Sequence, residues 1–308
     1  MKPPAHLKMK IRIGSRGSPL ARVQALGVGG LLREKFAGLE TEFVFIKTSG
    51  DTAPAPVAQE GGKGIFVKEI EEALLDGSID IAVHSMKDLP SVLPDGLVIG
   101  AVPRREDPSD CVLFPKGTEP GADIESLKDG AKIGTGSARR SCQILAIRSG
   151  VFISPIRGNI GTRVDKMDSG EFDAIVLASA ALSRLQIEGR AASRFNPEDF
   201  IPAPGQGALA VERREGDDKI AEMTTAIECS RSRLCADVER SFLARLGGNC
   251  DIPAGCYATE NGGKVKITAM LFEDGEIYRE RIETDKENCV RAGAEIADAV
   301  ISKTRGGD

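Results

Sequence analysis

The feature that most limits how this chain can fold is a pattern that occurs twice. Lys132-Ile133-Gly134-Thr135-Gly136-Ser137 echoes Arg12-Ile13-Gly14-Ser15-Arg16-Gly17-Ser18, and residues 167–176 echo 75–83. Each copy reads as a strand, a Gly/Ser turn and a helix, then a later helix and a buried strand led by Asp80 or Asp173. Apolar runs of strand length between helical periods belong to α/β folds with parallel strands covered on both faces. Two copies predict two similar α/β domains facing each other.

Breaks in the pattern supply the boundaries. Residues 104–110 and 196–207 read as segments that cross between the copies, and 208–211 as a strand returning to the first. Two crossings between paired α/β domains describe a hinge with a cleft between them, as in proteins that close on a ligand. A third unit begins near Cys229 with a helix whose Leu234, Val238, Phe242 and Leu246 form a stripe. A hairpin of 264–272 and 277–282 follows, around Asp274-Gly275. Thr284 and Glu287 read as a capping box for a last helix with Val290, Ala294, Ala297 and Ile301 on its inner face. The expected fold is thus two similar hinge-linked α/β domains of the periplasmic-binding-protein type plus a smaller α+β C-terminal domain. The expected spans are 8–104 with 207–226, 109–200, and 229–308.

Near the start, Ser18 is a good N-cap and Pro19 a good first helical residue, so a helix is expected from there to about Phe36. The run 48–64 is rich in Gly, Ala and Pro without periodicity, and a loop of that length suits a lid.

Composition excludes several classes. A formal net charge of −5 leaves no basic footprint for nucleic acid. No apolar run approaches a membrane span, and residues 1–7 read as a loose extension without the apolar core of a signal peptide. Seven cysteines, an odd number with no C-x-x-C pair, argue against a disulfide framework or a structural zinc and suit a reducing cytoplasm. Of two histidines, His6 lies in the extension. Proton chemistry therefore falls to carboxylates, to lysine or to His84.

Arginines crowd the strand-to-helix turns: Arg16, Arg139, Arg140, Arg157 and Arg163. Ligands of α/β sheets bind where strands end and helices begin, and helix N-termini there already present N–H groups to anions. Arginines with Ser and Thr hydroxyls suit a ligand bearing several carboxylates. Dinucleotide binding fits worse, because Arg139 stands where a third glycine should allow close helix packing. Gly61-Gly62-Lys63-Gly64 lacks the upstream glycine and the Ser/Thr of a phosphate loop.

His84-Ser85-Met86-Lys87-Asp88 follows a buried strand. Asp88 can hold a proton or simply form the turn before Pro90, and Ser85 and Lys87 can bind a carboxylate. A Ser-His-Asp hydrolase is conceivable here, but Gly-x-Ser-x-Gly is absent. Cys250 sits in Leu246-Gly247-Gly248-Asn249-Cys250-Asp251-Ile252-Pro253, a glycine-rich turn after a helix. It is either a small apolar filler or an accessible thiol.

Taken together, these motifs resemble the porphobilinogen deaminase (hydroxymethylbilane synthase) family from about Lys10 to the C-terminus. The resemblance rests on 13–21, 84–90, 134–140, 156–163, 202–207 and the Cys250 loop. It implies a cytoplasmic, monomeric transferase of tetrapyrrole biosynthesis that joins four porphobilinogen molecules head to tail, releases ammonia each time and frees hydroxymethylbilane. It implies a dipyrromethane cofactor held by a thioether to Cys250. By position, Asp88 becomes the catalytic carboxylate, while Ser85, Lys87, Arg139 and Arg140 hold the cofactor. Arg16, Ser18, Arg157, Arg163 and Arg184 take the acetate and propionate groups of substrate. Partners implied are the small-molecule substrate, with neither nucleic acid nor membrane. Three departures stand out: Asn249 before the cysteine, Ala254 after it, and Arg22-Val23 after Leu20-Ala21. The alternative, a hinge-type protein that only sequesters a carboxylated ligand, has no use for Cys250 or Asp88.

Overall fold

The computed structural model describes residues 9–49, 67–187, 190, 192–248 and 252–306. Most of the 48–64 run, the 1–7 extension and the Asn249-Cys250-Asp251 tip lie outside the described residues.

In chain order, the first elements are β1 (Lys10–Arg16), α1 (Pro19–Lys35), β2 (Glu40–Ile46), α2 (Lys68–Leu75), β3 (Ile81–Ser85) and β4 (Leu97–Ala101). Next come β5 (Asp110–Leu113), β6 (Lys132–Gly134), α3 (Ala138–Ile147), β7 (Phe152–Ser154), α4 (Ile160–Asp168) and β8 (Ala174–Ala178). They are followed by α5 (Ser179–Leu185), β9 (Ala192–Arg194), β10 (Leu209–Arg214), α6 (Asp218–Thr225) and α7 (Ser230–Arg245). The chain ends with β11 (Ala254–Asn261), β12 (Lys264–Glu273), β13 (Glu276–Asp285) and α8 (Cys289–Thr304).

The chain divides into two compact units. The first comprises residues 1–89, 93–104 and 209–233. Its sheet runs β2-β1-β3-β10-β4, with β1, β2 and β3 parallel and β10 antiparallel to both neighbours. Ile11, Ile13, Val28, Leu32, Val83 and Val211 form the core under α1, and Ile70, Leu74, Ile79 and Ala82 the core under α2. Both faces are therefore covered, as the continuous apolar strands require.

The second unit comprises 90–92, 105–208 and 234–308. One of its sheets runs β7-β6-β8-β5-β9, with β6, β7 and β8 parallel and β5 antiparallel to both neighbours. That is the plan of the first sheet again: in each, the antiparallel strand is the one that enters after a crossing segment. The other sheet is the meander β11-β12-β13, packed through Ile267, Ala269 and Val265 against Val238 and Phe242 of α7 and Ile296 and Val300 of α8.

The repeat is exact in its joints. Asp80 takes the backbone N–H of Arg12 at 2.7 Å, and Asp173 that of Lys132 at 2.7 Å. Gly14 has no room for a Cβ because Ile79 occupies the space, and at Gly134 a Cβ would lie 2.9 Å from Phe172. Ser18 caps α1 and Ser137 caps α3, each accepting a backbone N–H three residues on.

Two expectations need correction. The capping box fails: Thr284 pairs with Val265 inside β13, and α8 starts at Cys289 after a 3-10 turn. A long ladder outweighs one cap. The inner face of α8 is consequently Cys289, Ala292, Gly293, Ile296, Ala297 and Val300, while Val290 is exposed. Residues 254–261, which carried no strand expectation, pair with β12 along their whole length. By contrast, the 264–273 and 276–285 hairpin turns at Asp274 and Gly275, both with positive φ.

Candidate functional site

In the first unit, β3 runs two residues further than its apolar stretch, through His84 to Ser85, before a 3-10 turn carries Met86, Lys87 and Asp88. This end of β3 lies beside the start of α1. Between them is a pocket of about 400 Å3, open mouth included, lined by Arg16, Ser18, Gln24, His84, Ser85 and Asp88. Five of the residues singled out in the sequence thus meet: Arg16, Ser18, His84, Ser85 and Asp88. Asp88 is exposed, and Arg16, Ser18 and Ser85 are half-buried. Lys87, half-buried beside them, is not part of the lining.

Two polar residues here were missed in the sequence. Gln24 is buried on α1 and its Nε2 donates to Ser85 Oγ at 3.0 Å. Its signal was a polar residue within the buried stripe Ala21, Gln24, Ala25 and Val28. Glu212 of β10 is fully buried, with Oε2 3.0 Å from His84 Nε2. Nearby, Glu71 of α2 is buried too. Burial, and next the charge of Glu212, push its carboxyl up to about 7, against the weaker pull of His84.

In the second unit, Arg139 and Arg140 lie in the first turn of α3, where helix geometry turns both inward. Both are buried and both pair with Asp110 of β5, at 2.8 and 2.7 Å. Gln206 Nε2 adds a bond to the same carboxylate at 2.9 Å. Burial opposes the charge on Asp110, but Arg139 and then Arg140 outweigh it and hold the carboxyl well below the usual range. Burial pulls Arg139 down from the usual guanidinium value, against the attraction of Asp110.

Arg157, Arg163 and Arg184 have no acid in an ion pair with them among the described residues. Arg157 is exposed. Arg163, half-buried, donates to Gly158 O at 2.8 Å and is pulled down by burial and by Arg140. Arg184 donates to Gly207 O at 2.8 Å and is pulled down by burial, with Glu106 acting against it. Two guanidiniums on one carboxylate, with Arg163 close enough to sense Arg140, leave this region with excess positive charge. That excess fits a ligand rich in carboxylates.

The helix preceding the cysteine loop ends as its glycines predict. Gly247 and Gly248 have φ of 93° and 67°, and their N–H groups donate back to Ala244 O and Leu243 O. Cys250 itself lies outside the described residues. Arg22, one of the departures, stacks its guanidinium 4.2 Å from the ring centroid of Phe45. Ala254 is buried opposite Leu271 in the β11–β12 ladder. Among the described residues, no group of acids, histidines and cysteines is arranged to hold a metal, and no helix is long and apolar enough to cross a membrane.

Comparison with known proteins gives two adjoining family matches. Residues 11–222 match the model described as porphobilinogen deaminase, dipyromethane cofactor binding domain, and 233–302 the model for the porphobilinogen deaminase C-terminal domain. The porphobilinogen deaminase of Syntrophobacter fumaroxidans is 43% identical over 268 residues, covering 86% of this chain and 85% of its own. That of Alkaliphilus metalliredigens is 40% identical over 296 residues, covering 95% and 92%. That of Listeria monocytogenes is 41% identical over 302 residues, covering 96% of each.

Proposed function

This chain belongs to the porphobilinogen deaminase family, and we propose that its residues divide the family's reaction between a proton-handling pocket and a set of carboxylate-holding arginines. The activity is that of hydroxymethylbilane synthase: porphobilinogen molecules are condensed head to tail with loss of ammonia, in tetrapyrrole biosynthesis. The cofactor is dipyrromethane, and Cys250 is the residue to which we assign its thioether. When bound, it supplies the pyrrole carbon to which the first substrate is joined.

The observation that carries the assignment is the pocket, where an exposed carboxylate, Asp88, shares a wall with Arg16 and Ser18. Loss of ammonia from an aminomethyl pyrrole leaves a cationic azafulvene. A carboxylate close to the ring nitrogen stabilises that charge as it develops. Asp88 can also give a proton to the departing amine and later remove one from the newly joined carbon. Arg16 and Ser18 hold a substrate carboxylate beside it, with Arg157, Arg163 and Arg184 taking others. Ser85, Lys87, Arg139 and Arg140 hold the cofactor. Guanidiniums suit this task because they bind carboxylates without joining the proton traffic.

The division 8–104 with 207–226, 109–200 and 229–308 goes with this reading, as does a monomer working in the cytoplasm without nucleic acid. Intact mass tests the reading directly. The purified protein is expected to carry two extra pyrrole units, and Cys250→Ala to carry none and to be inactive. Asp88→Asn is expected to keep the added mass and to lose turnover by about 1,000-fold. An unmodified native protein, or near-normal rates in Asp88→Asn, contradicts it.

A further inference from the structure

His84, which lines the pocket, forms a buried ionisable pair with Glu212, and Glu71 is buried nearby; the three are contributed by β3, β10 and α2. None of the three has a role in the chemistry above. His84 is 5% exposed, Glu71 7% and Glu212 not at all. Buried charge of this kind is costly unless it is paired, so its presence calls for a reason.

The register supplies one. Glu212 stands opposite Ala82 and Ala210 opposite His84, so Glu212 and His84 are diagonal neighbours on one face of the sheet. The pairing of β10 with β4 slips between Val211 and Glu212, an irregularity of the kind that re-aims a side chain. The 3.0 Å bond joins His84 Nε2 to Glu212 Oε2, with the imidazole donating in its Nε2–H tautomer. On the opposite face, Gln24 of α1 bonds Ser85. The last two residues of β3 are thus clamped from both faces by polar bonds to different elements, and Asp88 follows three residues later.

We propose that the His84–Glu212 bond is a positioning device for Asp88, fixing the end of β3 so that the carboxylate meets substrate in its reactive alignment. Glu71 Oε1 and Glu212 Oε1 are both buried with no hydrogen-bond partner among the described residues. The inference rests on the assignment of Asp88 as the catalytic carboxylate.

The test compares Glu212→Ala with Glu212→Gln, using porphobilinogen as substrate and intact mass to verify the cofactor. Misplacement by about 1 Å is sufficient to slow a reaction about 100-fold. Glu212→Ala is expected to lose kcat by about that factor with KM within a few-fold. Glu212→Gln, whose amide oxygen still accepts from Nε2, is expected to recover to within about 10-fold of wild type. Equal impairment of the two variants, or wild-type kcat in Glu212→Ala, overturns the proposal. Should Glu212→Ala fail to fold, the double variant His84→Phe/Glu212→Leu removes the pair without stranding a charge. It is expected to show the same loss of kcat, and wild-type kcat in it overturns the proposal as well. Asp88→Asn measured alongside separates the two ideas. An active Asp88→Asn defeats the catalytic assignment, whereas the Glu212 comparison judges the positioning device alone.

Discussion

In the first sheet the chain leaves β1 through Arg16, caps α1 with Ser18 and borders a pocket; in the second it leaves β6, caps α3 with Ser137 and buries Arg139 and Arg140 on Asp110. The backbone joints of the two turns match, down to the Asp that takes a strand N–H and the glycine with no room for a side chain. What differs is where the acid lies. Beside Arg16 the nearby acid is Asp88, exposed at the pocket wall. Beside Arg139 and Arg140 it is buried within β5. One turn sets its arginine at a pocket wall, and the other fixes its arginines on a buried acid. A shared scaffold therefore does not make its arginines equivalent; the position of the neighbouring carboxylate sets them apart.

The comparison breaks most visibly at Asp110. Asp110→Ala leaves two buried guanidiniums without a counter-charge, and is expected to cost about 3–5 kcal/mol, read as a lower denaturation midpoint. A stable Asp110→Ala protein would mean that the second turn does not depend on its acid. Arg16→Ala is the counterpart in the first turn. Losing one charge-assisted carboxylate contact of about 1.5–3 kcal/mol lowers kcat/KM by roughly 10- to 150-fold. The two caps sharpen the contrast. Ser137→Ala and Ser18→Ala each remove about 1 kcal/mol of stability by denaturant titration, but only Ser18→Ala also lowers kcat/KM.

The smallest expected effect concerns pH, where the two regions have opposite signs. Glu71, behind the first turn, is pushed up to about 7, so the folded state holds a proton that the unfolded state releases near 4.5. Its contribution is present below about 4.5 and is lost as pH rises to about 7, giving a melting temperature that declines by a few degrees. Glu71→Gln should flatten that slope. Asp110 is shifted the other way. Its contribution is present above the ordinary carboxylate range and disappears as pH falls below it, and Asp110→Asn removes that acid-side loss. A wild-type melting curve that rises between pH 5 and 7 and is unaltered by Glu71→Gln would contradict the first assignment.

Much of this was legible in the sequence because it follows from local rules. Ser18-Pro19 starts a helix, Gly247-Gly248 ends one, and apolar runs led by Asp80 and Asp173 form buried strands. Arg16, Ser18, Ser85 and Asp88, far apart in the chain, were singled out by motif and do line one pocket. The partners that decide what a charge does were not legible. Asp110 was read as part of a crossing segment, since a strand of four residues carries no period of its own. Glu71 and Glu212 sit in apolar stripes where a lone acid reads as an interruption, and only the packing of α2 against β3 and β10 shows that they share a space. The failed cap at Thr284 has the same origin: a short motif yields to a ten-residue ladder decided elsewhere in the chain.

The cramped glycines have a consequence for how the two copies can drift apart. Their exposed surface positions can change one at a time, because each such change alters a contact and leaves the scaffold standing. Gly14 and Gly134 lack that freedom. Ile79 fills the place of a side chain at one, and Phe172 with Ile175 at the other. A replacement at either forces those side chains on a distant stretch of the chain to shift. Through single changes, then, the copies are free to diverge in chemistry, while these two joints hold them to a common frame.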